Sequence, residues 1–340
     1  MNPTDSTASE NPQPVVLITG ATGFLGKRLT KKLIQKGFRV RALVRKSSDP
    51  RRVEELGAEI CFGDIRDSQS LYAAMQGVDI IVHAAADTKG NLQDSRQVTV
   101  LGTRNVVTEA QKRGVEQLVY ISTCNVYGIS ECKTGASVDE SGPLEKRPEL
   151  RGVYTYAKLK AEEIIIQNMN QGALQITCLR PGTIWGPEGE LFTPMMGFRA
   201  CSKLYCIIGD GRFVLPLVHI DNLIDAIIKT IQNPRAYNQI YNVVDSQRIS
   251  KRQYANSVLK RLYPKAYFFY FPYSILYLAV WCQEMLFRAI GREAFLTRYR
   301  LTSSQRPIVY DGDKIRDDLN WSAPVQFEDA LREITESAIP

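Results

Sequence analysis

Short apolar runs alternate with amphipathic stripes along the first half of the chain. The runs read VVLIT from Val15, RVRALV from Arg39, EICFG from Glu59, DIIVHAAA from Asp79, QLVYIST from Gln117 and QITCLR from Gln175. Each is strand-length and bounded by turn residues. The spacing between them predicts helices, for example around Leu71 to Met75, Val98 to Gln111 and Tyr154 to Met169. After the first run, Leu25, Leu29, Leu33 and Ile34 share one helical face, while Lys27, Arg28, Lys31 and Lys32 take the other. Strands alternating with helices predict a parallel sheet covered on both faces. The right-handed crossover rule makes it α/β, a doubly wound Rossmann sheet.

The pattern changes after Arg180. Pro181, Gly182, Gly186, Pro187 and Gly189 mark a loop-rich region. VLPLVHIDNLIDAIIKTI then returns to a strand or turn followed by a helix, and IYNVV adds a short strand. From Ser246 onward the pattern is mostly helical. The expected division is a nucleotide-binding domain over 15–180 plus about 218–245, and a smaller, mostly helical substrate domain over 181–217 and 246–340. The polar stretch 1–14 is expected to be a disordered tail, without the charged-then-apolar order of a signal peptide.

One segment resists this scheme. AYFFYFPYSILYLAVWC, from Ala266 to Cys282, carries no charge and is dense in aromatics. It is short for a membrane span and broken by Pro272. It reads either as a strand to Phe271 and a helix from Pro272, packed in the second domain, or as an apolar lid or membrane-surface patch beside a lipophilic substrate.

Composition narrows the function. The 340 residues are 44% hydrophobic with a net charge of +7, suiting a globular protein with a full core. Eleven of the basic residues lie between Lys27 and Arg52, a solvated face rather than a nucleic-acid footprint. Seven cysteines without a C-x-x-C pair, and only two histidines, argue against a metal site or a disulfide framework. Reduced thiols fit a cytoplasmic location. His83 and His219 read as structural residues.

The chemistry begins at Gly20, Gly23 and Gly26, where the first strand runs through a turn into a helix. Glycines let a pyrophosphate approach the backbone, and the helix N-terminus favours its charge. Tyr154 and Lys158 are one helical turn apart, so both side chains reach one site. A lysine cation stabilises a phenolate and makes tyrosine a usable acid or base. Thr123 sits where a strand emerges at the carboxyl edge of the sheet, the ligand-binding edge of such folds. Its hydroxyl can hold a substrate oxygen.

With these residues the chain resembles the extended short-chain dehydrogenase/reductase superfamily from about Val15 to near the C-terminus. The resemblance implies catalysis by Thr123, Tyr154 and Lys158. It assigns the cofactor to the turn Gly20, Thr22, Gly23, Phe24, Leu25 and Gly26, to Asp64 and Ile65, to Ala84, Ala85 and Ala86, and to Lys158, Pro181, Gly182 and Thr183. Thr99 stands where asparagine is common before Gly102-Thr103, which puts one helix-to-loop hydrogen bond in question. The second strand ends at Arg45 and Lys46 rather than at an acid, so NADP(H) is favoured over NAD(H).

Cys124-Asn125 replaces the Asp-Glu of the superfamily's sugar-nucleotide dehydratases. Leu215, Pro216 and Leu217 stand where nucleotide-sugar epimerases often carry Arg-Asp-Phe, although Arg212 lies nearby. The segment LTRYRL, the turn Asp221-Asn222 and the aromatic stretch look more like the 3β-hydroxysteroid dehydrogenase-like branch. The expected activity is therefore hydride transfer between nicotinamide and a secondary alcohol or ketone of a lipophilic substrate. The alternatives are a nucleotide-sugar epimerase or reductase and a non-catalytic dinucleotide sensor. The expected partner is a small molecule, not nucleic acid. Peripheral membrane contact through 266–290 and a homodimer are further expectations.

Overall fold

The computed structural model describes residues 13–88, 90–292 and 294–337. The expected tail lies almost wholly outside the described residues. Seven strands form the central sheet: β1 (Val15–Thr19), β2 (Arg39–Val44), β3 (Glu59–Phe62), β4 (Ile80–His83), β5 (Gln117–Ile121), β6 (Gln175–Pro181) and β7 (Ile240–Val243). Their order is β7-β6-β5-β4-β1-β2-β3. Every pairing is parallel, with Val16 opposite Val40 on one side and Ile80 on the other. The order reverses between β1 and β4, which opens a crevice at their carboxyl ends.

Six helices matter for the site: α1 (Phe24–Gln35), α2 (Gly102–Arg113), α3 (Val153–Asn168), α4 (Ile220–Thr230), α5 (Tyr273–Ala289) and α6 (Phe327–Ser337). Alternate residues of β1 feed two cores. Val16 and Ile18 join Leu29, Leu33, Leu223 and Ile227 from α1 and α4. Leu17 joins Val106, Ala110, Ala161 and Ile165 from α2 and α3. This two-sided burial explains why β1 reads as continuously apolar. The expected helix at Val98 begins instead with a π-helical stretch, Arg96–Leu101, before α2.

A third core holds Trp185, Met196, Ile207, Leu215, Tyr254, Phe327 and Leu331. Beside it lies a three-stranded sheet with Leu204–Ile208 central, Gly197–Cys201 on one edge and Tyr267–Phe271 on the other. The aromatic segment thus divides at Pro272 into a strand and α5. Among the described residues, no helix is long and apolar enough to cross a membrane. The chain then returns to the central sheet, where Ile315, Leu319 and Trp321 join the core beneath α1.

Candidate active site

The turn after β1 depends on close backbone approach. Gly20 has φ +77°, and a Cβ there would lie 2.9 Å from the Ala85 amide nitrogen. A Cβ on Gly26 would lie 2.1 Å from the Gly20 carbonyl oxygen. Gly23 caps α1 without a side-chain hydrogen bond, and the first turn carries no acid. The amides of that turn lack intrahelical acceptors, and the helix dipole adds positive potential. A dinucleotide pyrophosphate therefore fits this cradle. Leu25 is buried in the core, whereas Thr22 and Phe24 remain partly open beside the turn.

The wall at Ala84, Ala85 and Ala86 is held by a hydrogen-bonded chain. The Ala84 amide donates to the Thr19 carbonyl at 3.2 Å, and the Ala85 amide to Thr19 Oγ1 at 3.3 Å. Thr19 Oγ1 lies 2.6 Å from His83 Nδ1, and His83 Nε2 lies 3.0 Å from Thr103 Oγ1. Thr103 gives its own proton to the Thr99 carbonyl at 2.6 Å. His83 Nε2 must therefore carry the hydrogen, and Nδ1 accepts from Thr19. Burial keeps this imidazole neutral, its pKa pushed down to about 3. Thr99 Oγ1 accepts from the Asp87 amide at 2.9 Å, so the helix-to-loop bond in question is present with threonine.

The far end of the crevice is basic. Asp64 pairs with Arg66 at 2.7 Å, and that hydrogen bond, working against burial, lowers its carboxyl pKa. Ile65 is buried against Gly102, where a Cβ would lie 2.6 Å from Ile65 Cδ1. Arg45 and Lys46 are exposed. A cleft of about 360 Å³ is lined by Thr22, Lys27, Ser48, Asp49, Arg52 and Val53, and neither Arg45 nor Lys46 is part of its lining. Glu188 reaches over from the loop after Pro187 and lies 3.6 Å from Lys27 and 3.3 Å from Arg52. Lys27 and Arg52 were not singled out by the sequence reading. Their signal was present in the basic cluster, but sequence spacing does not say which of eleven cations face one cleft.

Thr123 follows β5 and accepts from the Asn125 amide at 3.2 Å. Tyr154 and Lys158 lie on the first turns of α3. Lys158 Nζ donates to the Ile121 carbonyl at 2.7 Å and sits 5.0 Å from the centre of the Tyr120 ring. Burial pushes its pKa down to about 8. Tyr154 is shifted upward by burial, opposed by a hydrogen bond with Thr123. The net shift of Tyr154 is therefore upward rather than the expected lowering, because desolvation outweighs the groups that favour the phenolate.

A buried network braces this edge. Glu162, one turn after Lys158, receives Arg180 Nε at 3.0 Å and Nη2 at 2.6 Å, and also bonds Ser122. Arg180 Nη1 donates to Tyr127 at 2.8 Å, and Tyr127 donates to Asn242 at 2.6 Å. Ser122, Arg180 and Asn242 thus tie together the carboxyl ends of β5, β6 and β7. Pro181 is buried beyond them, Thr183 N donates to the Pro216 carbonyl at 2.6 Å, and a Cβ on Gly182 would lie 2.2 Å from that oxygen.

His219 caps α4, its Nδ1 accepting from the Asp221 amide at 3.4 Å. His219, Asp221 and Glu333 bring ligand atoms within 4.8 Å of one another. A guanidinium already serves both acids: Arg28 makes two bonds to Asp221 at 2.6 and 2.7 Å and one to Glu333 of α6. Of the residues near the expected diphosphate position, Leu215 is buried in the third core, while Arg212 is 90% exposed and pairs with Asp210 at 3.4 Å.

Residues 16–243 match the NAD dependent epimerase/dehydratase family, and the chain belongs to that family. It is an NAD-dependent oxidoreductase of the extended short-chain dehydrogenase/reductase type. It is 28% identical to the 4-hydroxy-2-methyl-3-oxo-4-farnesyl-3,4-dihydroquinoline-1-oxide ketoreductase of Stigmatella aurantiaca, over 93% of this chain and 95% of that one. It is 27% identical to the 2-alkyl-3-oxoalkanoate reductase of Stenotrophomonas maltophilia, over 95% and 99%. The N-acetyl-alpha-D-glucosaminyl-diphospho-ditrans,octacis-undecaprenol 4-epimerase of Escherichia coli O157:H7 is 26% identical over 88% of each chain. Among solved structures, gox2253 superposes with a TM-score of 0.77 at 26% identity, over 96% of this chain and 97% of that one.

Proposed function

We propose that the protein reduces or oxidises a ketone–alcohol pair on a lipophilic substrate, with NADP(H) preferred over NAD(H). The nicotinamide, when bound, supplies or receives the hydride. Gly20, Gly23 and Gly26 would hold its pyrophosphate, Ala84 to Ala86 its flank, and Arg45, Lys46, Lys27 and Arg52 a 2′-phosphate. In the reductive direction Thr123 holds the carbonyl oxygen and Tyr154 delivers the proton to it. A tyrosine pKa raised by burial suits a proton donor, since the hydroxyl stays protonated at neutral pH. Lys158, as a cation, stabilises the tyrosinate left behind. Residues 181–217 together with the segments after 246 would form the substrate-binding part, in a cytoplasmic enzyme. The membrane-surface contact expected of 266–290 fits the same reading, because lipophilic ketones partition into bilayers.

The observation that carries the substrate class is the burial of Leu215 with Arg212 turned to solvent. A diphosphate placed there would lose water without gaining a buried cationic partner. Two of the three relatives above are named as reductases of keto compounds bearing farnesyl or alkyl groups. Calorimetry on the enzyme with NADP+ bound, comparing UDP-sugars with steroid-like and long-chain keto compounds, tests the reading. Binding of the keto compounds alone is the expected result. Micromolar binding of a UDP-sugar, abolished by Arg212→Ala, replaces it with the epimerase reading.

A further inference from the structure

Helix α5 is apolar on two opposite faces, and only one of them is packed. Tyr273, Leu276 and Val280 form its inner stripe, with Val280 buried against Ile208 and Leu301. The same side is fastened by Tyr273 to Thr302 at 3.2 Å, Gln283 to the Leu296 carbonyl at 3.0 Å, and Glu284 to Arg298 at 2.5 Å. The opposite stripe holds Ile275, Leu278, Met285 and Leu286, exposed by 56, 58, 43 and 60%. A helix resting on a globular core normally turns a polar face to water. Here that face is aliphatic, flanked by Trp281 and Tyr277, and Val280 is the helix's one buried residue among those described.

Cations outnumber acids in the sequence leading into and out of this helix. Between Lys260 and Arg292 stand five basic residues, Lys260, Arg261, Lys265, Arg288 and Arg292, all exposed. Of the two acids between Lys260 and Arg300, Glu284 is paired with Arg298, and Glu293 follows Arg292 in the sequence. An apolar helical face bearing aromatics, with Arg288 and Arg292 exposed at its C-terminal end, matches the chemistry of an interfacial helix on an anionic bilayer. The helix is too short to span, so it would lie in the headgroup plane with its backbone hydrogen bonds already made. A second copy of the chain is the poorer occupant. A two-fold contact that set the helices parallel would bring Arg288 and Arg292 of the two copies together.

We propose that the outer face of α5 docks the enzyme on the surface of an anionic lipid bilayer. The proposal stands on the helix and its flanking charges, and does not depend on which ketone is the substrate. The test is co-sedimentation of the full chain with phosphatidylcholine vesicles, with and without about a third phosphatidylglycerol, at about 0.1 M salt. Wild type is expected to sediment with the anionic vesicles and to show a blue shift of tryptophan emission as Trp281 leaves water. Leu278→Glu with Leu286→Glu should weaken binding at least tenfold, while NADPH binding is retained as evidence of folding. Arg288→Ala and Arg292→Ala should each cost about fivefold on anionic vesicles, as should added salt. Failure of wild type to sediment overturns the proposal, as does binding unaffected by the leucine changes. Equal binding to neutral vesicles overturns the anionic assignment. A solution dimer made monomeric by Leu278→Glu gives the face to a second copy.

Discussion

Lys158 Nζ donates to the Ile121 carbonyl oxygen across 2.7 Å, fastening the helix of Tyr154 to the strand end that carries Thr123 two residues later. The tether fixes the spacing of the proposed catalytic group, while burial brings the amine's pKa down to about 8. If the cation is needed, kcat/KM for ketone reduction should be level below about pH 8 and fall above it. Lys158→Met should lose about 10² or more in kcat/KM and lose that alkaline limb. A pH–rate series on both proteins measures it, and an unchanged limb in the variant removes Lys158 from the chemistry.

Tyr154→Phe removes one hydroxyl and leaves the glycine turn untouched. Turnover should fall by about 10² to 10⁴, while the dissociation constant for NADPH stays near the wild-type value. Stopped-flow turnover and fluorescence titration on the same preparation separate the two effects. Retained turnover would give the proton transfer to another group.

Cofactor choice should follow the basic cleft. Arg52→Ala should weaken NADPH more than NADH, because only NADPH carries a phosphate for the guanidinium to pair with. Arg45→Asp should shift the ratio further, since its carboxylate repels that phosphate and can accept from a ribose hydroxyl. Dissociation constants for both cofactors decide between these cations and mere surface charge.

Lys251 is fully buried and makes its hydrogen bonds to the Ile208 carbonyl at 3.0 Å and to Gln305 at 2.6 Å. Burial lowers its pKa to about 7. The native state therefore gives up this proton near pH 7, whereas an unfolded lysine keeps it to about 10.4. Between those values the unfolded chain binds more protons, so this residue makes stability rise with pH. Urea midpoints of wild type minus Lys251→Met should increase from pH 7 to pH 10 and level off at either end. A flat difference would mean that the amine stays charged in the fold.

The central sheet was legible because β1, β4 and β5 are buried on both faces, leaving short apolar runs. Even the division of the aromatic segment at Pro272 could be read, since proline stops the strand and opens the helix. The glycine turn was equally plain, because backbone contacts as close as Gly26 to Gly20 admit no other residue type. What could not be read were relations set by tertiary packing. Sequence spacing puts Tyr154 and Lys158 on one face but not the Ile121 carbonyl under the amine. It places His83 in a strand end but not the threonines that fix its tautomer. Lys27 and Arg52 lie 25 positions apart, and only the fold brings both to Glu188.

The clasp of Arg28 on Asp221 and Glu333 has a bearing on how the protein is made. Its partners lie 193 and 305 positions away along the chain. The glycine turn is translated early, yet the carboxylates that anchor its helix arrive late, the second with almost the last turn of α6. Contacts this distant in sequence close slowly, and domains generally begin folding while synthesis is under way. The clasp on α1 therefore stays incomplete until α6, which carries Glu333, has left the ribosome. Emergence of α6, rather than of the Rossmann half alone, sets the moment at which a newly made chain completes its grip on this helix.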